Sequence, residues 1–170
     1  MKIKKGVVII GILSFLTVCC IIFIFGNSLK DSVESTDQTM LVKDLLTDIA
    51  NSFGIESEIS TQNLRSSAHV AEFAMLGACL AAISLFVAYE KGRLMLRAGV
   101  PFVCTAFAGG VLVAIVDEIL QLFSDGRACE IKDVCLDSSG VILGIAVSCV
   151  IAFINYKIHK AREIKKGKTL

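Results

Sequence analysis

Four stretches of the chain, 6–25, 68–89, 98–123 and 134–156, are apolar and long enough to cross a bilayer, whose hydrocarbon core of about 30 Å needs about 20 residues of helix. A segment in hydrocarbon must satisfy its own backbone polar groups, so each stretch is constrained to be helical. The expected fold is therefore all-α: a polytopic membrane four-helix bundle forming a single domain over residues 1–170. Composition agrees, because 55% of the residues are hydrophobic and the mean hydropathy of +0.74 is too high for a soluble domain of this size.

The net charge of +1 gives no reason to expect nucleic acid as a partner, so the information lies in where the charges sit. Lys and Arg in short flanking loops stay on the cytoplasmic side. Twelve of the 17 basic residues precede the first span, separate the second from the third, or follow the fourth. The expected topology is a multi-pass protein of the cell membrane with both termini cytoplasmic and segments 26–67 and 124–133 outside. Lys2, Lys4 and Lys5 would also suit the start of a signal peptide, but the apolar run is long and no small-x-small cleavage site follows, so an uncleaved helix is expected.

Within segment 26–67, Leu41, Val42, Leu45, Leu46, Ile49 and Phe53 recur at helical spacing among Lys43, Asp44 and Asp48. This predicts an amphipathic helix in the first outer loop, either lying on the membrane surface or capping the bundle. Small residues four apart, Gly140-Gly144-Ser148 and Ala106-Gly110-Ala114, mark seams of close helix approach, within one chain or between chains. The oligomeric state is left open. Five of the seven cysteines lie in apolar runs as small hydrophobes, while Cys129 and Cys135, near the second outer loop, could be bridged or reduced.

The polar residues of the spans gather at one end. Arg65, His69 and Glu72 stand at i, i+4 and i+7 where the second span begins. Asp117, Glu118 and Gln121 end the third, Asp133 and Asp137 begin the fourth, Asn27 and Ser28 close the first, and Arg127 follows Gly126 in the intervening turn. A charge in hydrocarbon costs roughly 2.5–3.5 kcal/mol even on insertion scales, so these groups are expected to face one another or water. Arg127 is expected to fold back over the carboxylates as a bidentate donor.

Ion pairs that merely tie helix ends together would explain any one of these residues. The set has a surplus of carboxylates over Arg65, His69 and Arg127, which implies protonated carboxyls, a bound cation or a cationic ligand group. The expected ligand-binding pocket is thus acidic and outward-facing, built from Arg65, His69, Glu72, Asp117, Glu118, Gln121, Arg127, Asp133 and Asp137. His69 and Glu72 with nearby carboxylates could hold a divalent metal, but a single histidine without a zinc-type spacing assigns none, and no cofactor is assigned. Paired carboxylates with a histidine would also suit general acid–base hydrolysis or transfer on an envelope lipid, although no recognised hydrolase motif is present. A transport path is not indicated, because the cytoplasmic halves of the spans carry no charged residue.

Taken together, Arg65-x3-His69-x2-Glu72-Phe73 and Asp117-Glu118-x2-Gln121-x-Phe123-x2-Gly126-Arg127-x5-Asp133-x3-Asp137-x2-Gly140, with Phe25-Gly26-Asn27-Ser28 before them, closely resemble the VanZ-like family of small bacterial membrane proteins. The resemblance covers about residues 6–155. Asp137 departs from it, standing where the family more often has asparagine. Membership would imply a role in the Gram-positive cell envelope in low-level resistance to the glycopeptide antibiotic teicoplanin. It implies a phenotype rather than a reaction. A glycopeptide, a cell-wall precursor or a membrane lipid is the expected partner.

Overall fold

The computed structural model describes residues 5–54, 60–90, 96–127 and 129–167. Five helices follow in order: α1 (Lys5–Ser28), α2 (Ser32–Ser52), α3 (Thr61–Glu90), α4 (Leu96–Gln121) and α5 (Ile131–Gly167). Among the described residues there is no strand. Helices α1, α3, α4 and α5 are each long and apolar enough to span a membrane. Two run past the apolar stretches that announce them. Helix α3 starts at Thr61, two turns before residue 68, and α5 continues to Gly167, because helical hydrogen bonding does not stop where hydropathy falls.

Helix α3 lies at the centre and touches each of the other four. Its tightest neighbour is α5, and the small residues explain why. A Cβ on Gly140 would come 2.5 Å from the Val70 carbonyl oxygen, and one on Gly144 would collide with the Ala74 carbonyl. One turn further, Ser148 Oγ donates to the Ala78 carbonyl at 3.0 Å. A ladder of four-residue steps on α5 thus meets carbonyls four residues apart on α3. Val141, fully buried, then fills the space opposite Gly77 of α3 and Gly110 of α4. Both expected seams are therefore used within one chain: Ala106 and Ala114 are buried in the same core as Phe73, Leu76 and Ile145.

The outward surface is apolar instead, with Phe15, Ile22, Leu112, Ile142 and Phe153 all exposed. Small residues at the helix seams, with large apolar ones facing outwards, is the arrangement of helices that associate by close packing in lipid.

Helix α2 begins at an Asp31 N-cap, whose carboxylate accepts from the Glu34 N–H at 2.8 Å. It is tethered at that end, because the Ser32 N–H donates to the Asp125 carbonyl at 3.1 Å in the α4–α5 turn. Gly126 there has φ +73°, and a Cβ on it would lie 2.5 Å from Ser32 Oγ, so both conformation and space require glycine. None of α2 is buried, and Leu41, Leu45 and Phe53 are exposed, so these residues do not cap the bundle. Cys129 and Cys135 are both free and exposed, without the bridge their positions would allow.

Candidate functional site

The ends of α1 and α4 and the starts of α3 and α5 meet at one end of the bundle, and every polar residue of the expected pocket lies there. From α1, Asn27 Nδ2 donates to Glu72 Oε1 of α3 at 2.9 Å, while Lys30 Nζ donates to Asn27 Oδ1 at 3.0 Å. Ser28, whose carbonyl is left over at the end of its helix, accepts from Ser124 Oγ at 2.9 Å and from Arg127 Nη1 at 3.4 Å. The α4–α5 turn is thereby held against α1.

Helix α4 turns Asp117, Glu118 and Gln121 inwards, and all three are buried. Gln121 Nε2 bridges the two carboxylates, donating to Glu118 Oε1 at 2.7 Å and more weakly to Asp117 Oδ2 at 3.5 Å. Glu118 Oε2 accepts from the Glu130 N–H at 3.0 Å. Helix α5 supplies Asp137, which is 1% exposed, and its Oδ1 lies 3.6 Å from His69 Nδ1 of α3. Each of the four long apolar helices therefore contributes at least one polar group, as expected from the cost of leaving any of them in hydrocarbon.

Next to this network lies a cavity of about 280 Å³. Of the nine expected pocket residues, Arg65, His69, Gln121, Arg127, Asp133 and Asp137 line it. The other three sit behind or beside that lining: Asp117 close to His69 and Asp137, Glu118 on Gln121, and Glu72 on Asn27. The cavity wall differs from expectation in its charge. Arg65, Arg127 and Lys132 share it with Glu130, Asp133 and Asp137, so the wall is mixed and the carboxylate excess lies deeper. Glu130 and Lys132 pair with each other.

Arg127 does not chelate a carboxylate as expected. Both oxygens of Glu118 already accept bonds, and the guanidinium reaches the Ser28 carbonyl instead, leaving its Nε buried without a partner among the described residues. Burial, and then the like charge of Arg65, pulls Arg127 below the ordinary arginine pKa. It remains a cation at any physiological pH.

The nine residues singled out from the sequence do not include Gln62, Ser66, Glu130 and Lys132, which also line the cavity, or Asn27 and Ser124, which hold the helix ends together. Asn27 was visible in the Phe25-Gly26-Asn27-Ser28 string. Ser124 and Glu130 act on, or through, backbone groups, which side-chain chemistry does not announce.

A family model described as VanZ/LLP1 matches residues 13–153, the region that holds all four spans' polar ends and the cavity. No curated protein and no solved structure gives a match. The matched region contains the Arg65-His69-Glu72 face, the Asp117-Glu118-Gln121 face and the Gly126-Arg127 turn that the structure brings to one end of the bundle, and the chain belongs to the VanZ-like family of membrane proteins.

Proposed function

We propose that the cavity binds the polar part of a glycopeptide or of a cell-wall or lipid precursor on the outer face of the cell membrane, and that the protein thereby lowers susceptibility to teicoplanin-type glycopeptides. The observation that carries this reading is the mixed wall itself. Guanidinium and ammonium groups stand beside carboxylates in one cavity at a single end of an otherwise apolar bundle. Such a wall suits a headgroup with both anionic and hydrogen-bonding groups, presented at the membrane surface. The excess of basic residues at the opposite end supports the outward direction.

The test compares Arg65→Gln and Asp133→Asn, which alter the cavity wall, with Ser84→Ala in the apolar half of α3. Expressed at equal membrane levels in a glycopeptide-sensitive Gram-positive host, the first two should lose protection and the third keep it. Full protection from both wall variants would remove the cavity from the function. Turnover of a lipid-linked precursor by the purified protein would instead favour a membrane-embedded hydrolase or transferase.

A further inference from the structure

Three side chains from three different helices converge at the cavity: His69 of α3 and Asp137 of α5 in its wall, and Asp117 of α4 behind them. One donor atom from each lies within 4.8 Å of the other two. The two carboxylates are 0% and 1% exposed, yet Asp117 Oδ1 and both Asp137 oxygens have no hydrogen-bond partner among the described residues. Buried carboxylate oxygens without partners are rare, because desolvation has to be offset by hydrogen bonds or an opposite charge.

The spacing is informative. His69 Nδ1 and Asp137 Oδ1, 3.6 Å apart, are too far for a good hydrogen bond. Donors sharing an ion at about 2.1 Å lie about 3.0–3.4 Å from one another, so a small inward movement would let both reach the same ion. We infer that His69, Asp117 and Asp137 form a divalent-cation site, with one imidazole nitrogen and two carboxylate oxygens as ligands.

Charge and donor type both fit. One divalent ion cancels two aspartates while the imidazole stays neutral, which removes the carboxylate surplus where it is most costly. A nitrogen with two oxygens and no thiolate suits a first-row ion such as Mn²⁺ or Zn²⁺. Glu72, the donor that the sequence pairs with His69, is engaged by Asn27 instead. Asp117 and Asp137, from separate spans, take its place, which is why no spacing along the chain reveals the set. Three protein ligands leave a coordination position, and His69 and Asp137 both line the cavity, so that position is placed to meet whatever the cavity holds. The site stands independently of the glycopeptide reading.

The experiment uses the full chain in lipid nanodiscs with Cys129→Ser and Cys135→Ser, which removes two exposed thiols that could bind metal. After treatment with a chelator, the protein is titrated with Mn²⁺, read by electron paramagnetic resonance, with Zn²⁺ as competitor. One Mn²⁺ per chain, displaced by Zn²⁺, is the expected result. Asp137→Asn and His69→Gln should each weaken binding by about tenfold or more, while Asp125→Asn in the nearby turn should not. In chelator, Asp137→Asn should unfold at a temperature no lower than the parent, because it removes a buried carboxylate that has no hydrogen-bond partner among the described residues. Lack of uptake of either ion would overturn the site, as would equal uptake by both ligand variants. Unfolding of Asp137→Asn below the metal-free parent would also overturn it, by showing that the carboxylate is a structural strut. Antibiotic susceptibility enters none of these readouts, so failure here is separate from failure of the proposed function.

Discussion

Asn27 of α1 donates its side-chain amide to Glu72 of α3 across 2.9 Å, so the Glu72 carboxylate is a tether between helices rather than part of the cavity wall. Asn27→Leu should therefore lower stability by about 1.5–3 kcal/mol, the range for a hydrogen bond to a charged partner. Glu72→Gln, which keeps an acceptor, should cost less. Thermal unfolding in one detergent, compared across the two variants, checks the order.

A second expectation concerns the α3–α5 seam. Gly144→Ala would drive a methyl group into the Ala74 carbonyl and force the helices apart, costing about 1–3 kcal/mol or more. Gly11→Ala, where a methyl meets nothing within 4 Å, should be close to neutral. Membrane accumulation and unfolding temperature should both fall for the first variant only.

Glu118 and Arg127 should separate from each other. Glu118→Gln keeps one acceptor but turns its amide NH₂ towards another donor, either the Gln121 amide or the Glu130 N–H, so it should destabilise the α4–α5 turn by about 1–3 kcal/mol. Arg127→Lys loses one long bond to the Ser28 carbonyl and should change stability by less than about 1 kcal/mol. If the cavity binds a ligand, the lysine variant should lose function while still accumulating normally. Unfolding measurements alongside glycopeptide susceptibility read the two effects apart.

The orientation expected from the basic residues can be read by thiol labelling in a cysteine-free background. Ser35→Cys, at the polar end, should react with an impermeant reagent on intact cells. Ala161→Cys, beyond the last span, should react only after permeabilisation. The opposite pattern would turn the cavity towards the cytoplasm.

The chain contains no tryptophan, so a single introduced indole reports its own surroundings. Leu45→Trp on the uncovered apolar face of α2 should be quenched by brominated lipids in nanodiscs, and Asp44→Trp on the neighbouring polar face should not. Equal, weak quenching at both would place α2 away from the membrane.

Much of this architecture was legible because hydrocarbon makes strong demands. Long apolar runs had to be helices, and Arg65, Glu72, Asp117, Glu118 and Asp137 could not be left facing lipid, so their convergence at one end followed from solvation alone. The steps of Gly140, Gly144 and Ser148 showed a seam, and the structure supplied its partner in Val70, Ala74 and Ala78. Pairings inside the cluster were not legible. Arg127 was expected on a carboxylate and bonds the Ser28 carbonyl, and Glu118 is held by the Glu130 N–H, because backbone groups compete for side chains and leave no mark in residue type. The amphipathic period of α2 predicted the helix but not its tether at Ser32 and Asp125, a backbone bond of the same silent kind.

The glycine ladder between α3 and α5 also acts as a ruler. Val70 follows His69 in the chain, and Gly140 lies one turn after Asp137, so the first rung of the ladder sits directly beside the imidazole–carboxylate gap. The distance between the two helices at that gap is then set by backbone touching backbone, not by attraction or repulsion between the side chains that face across it. Changing the charge on either side should leave the helix spacing nearly unchanged, so the bundle keeps an imidazole and a carboxylate within a side-chain rotation of any partner they share.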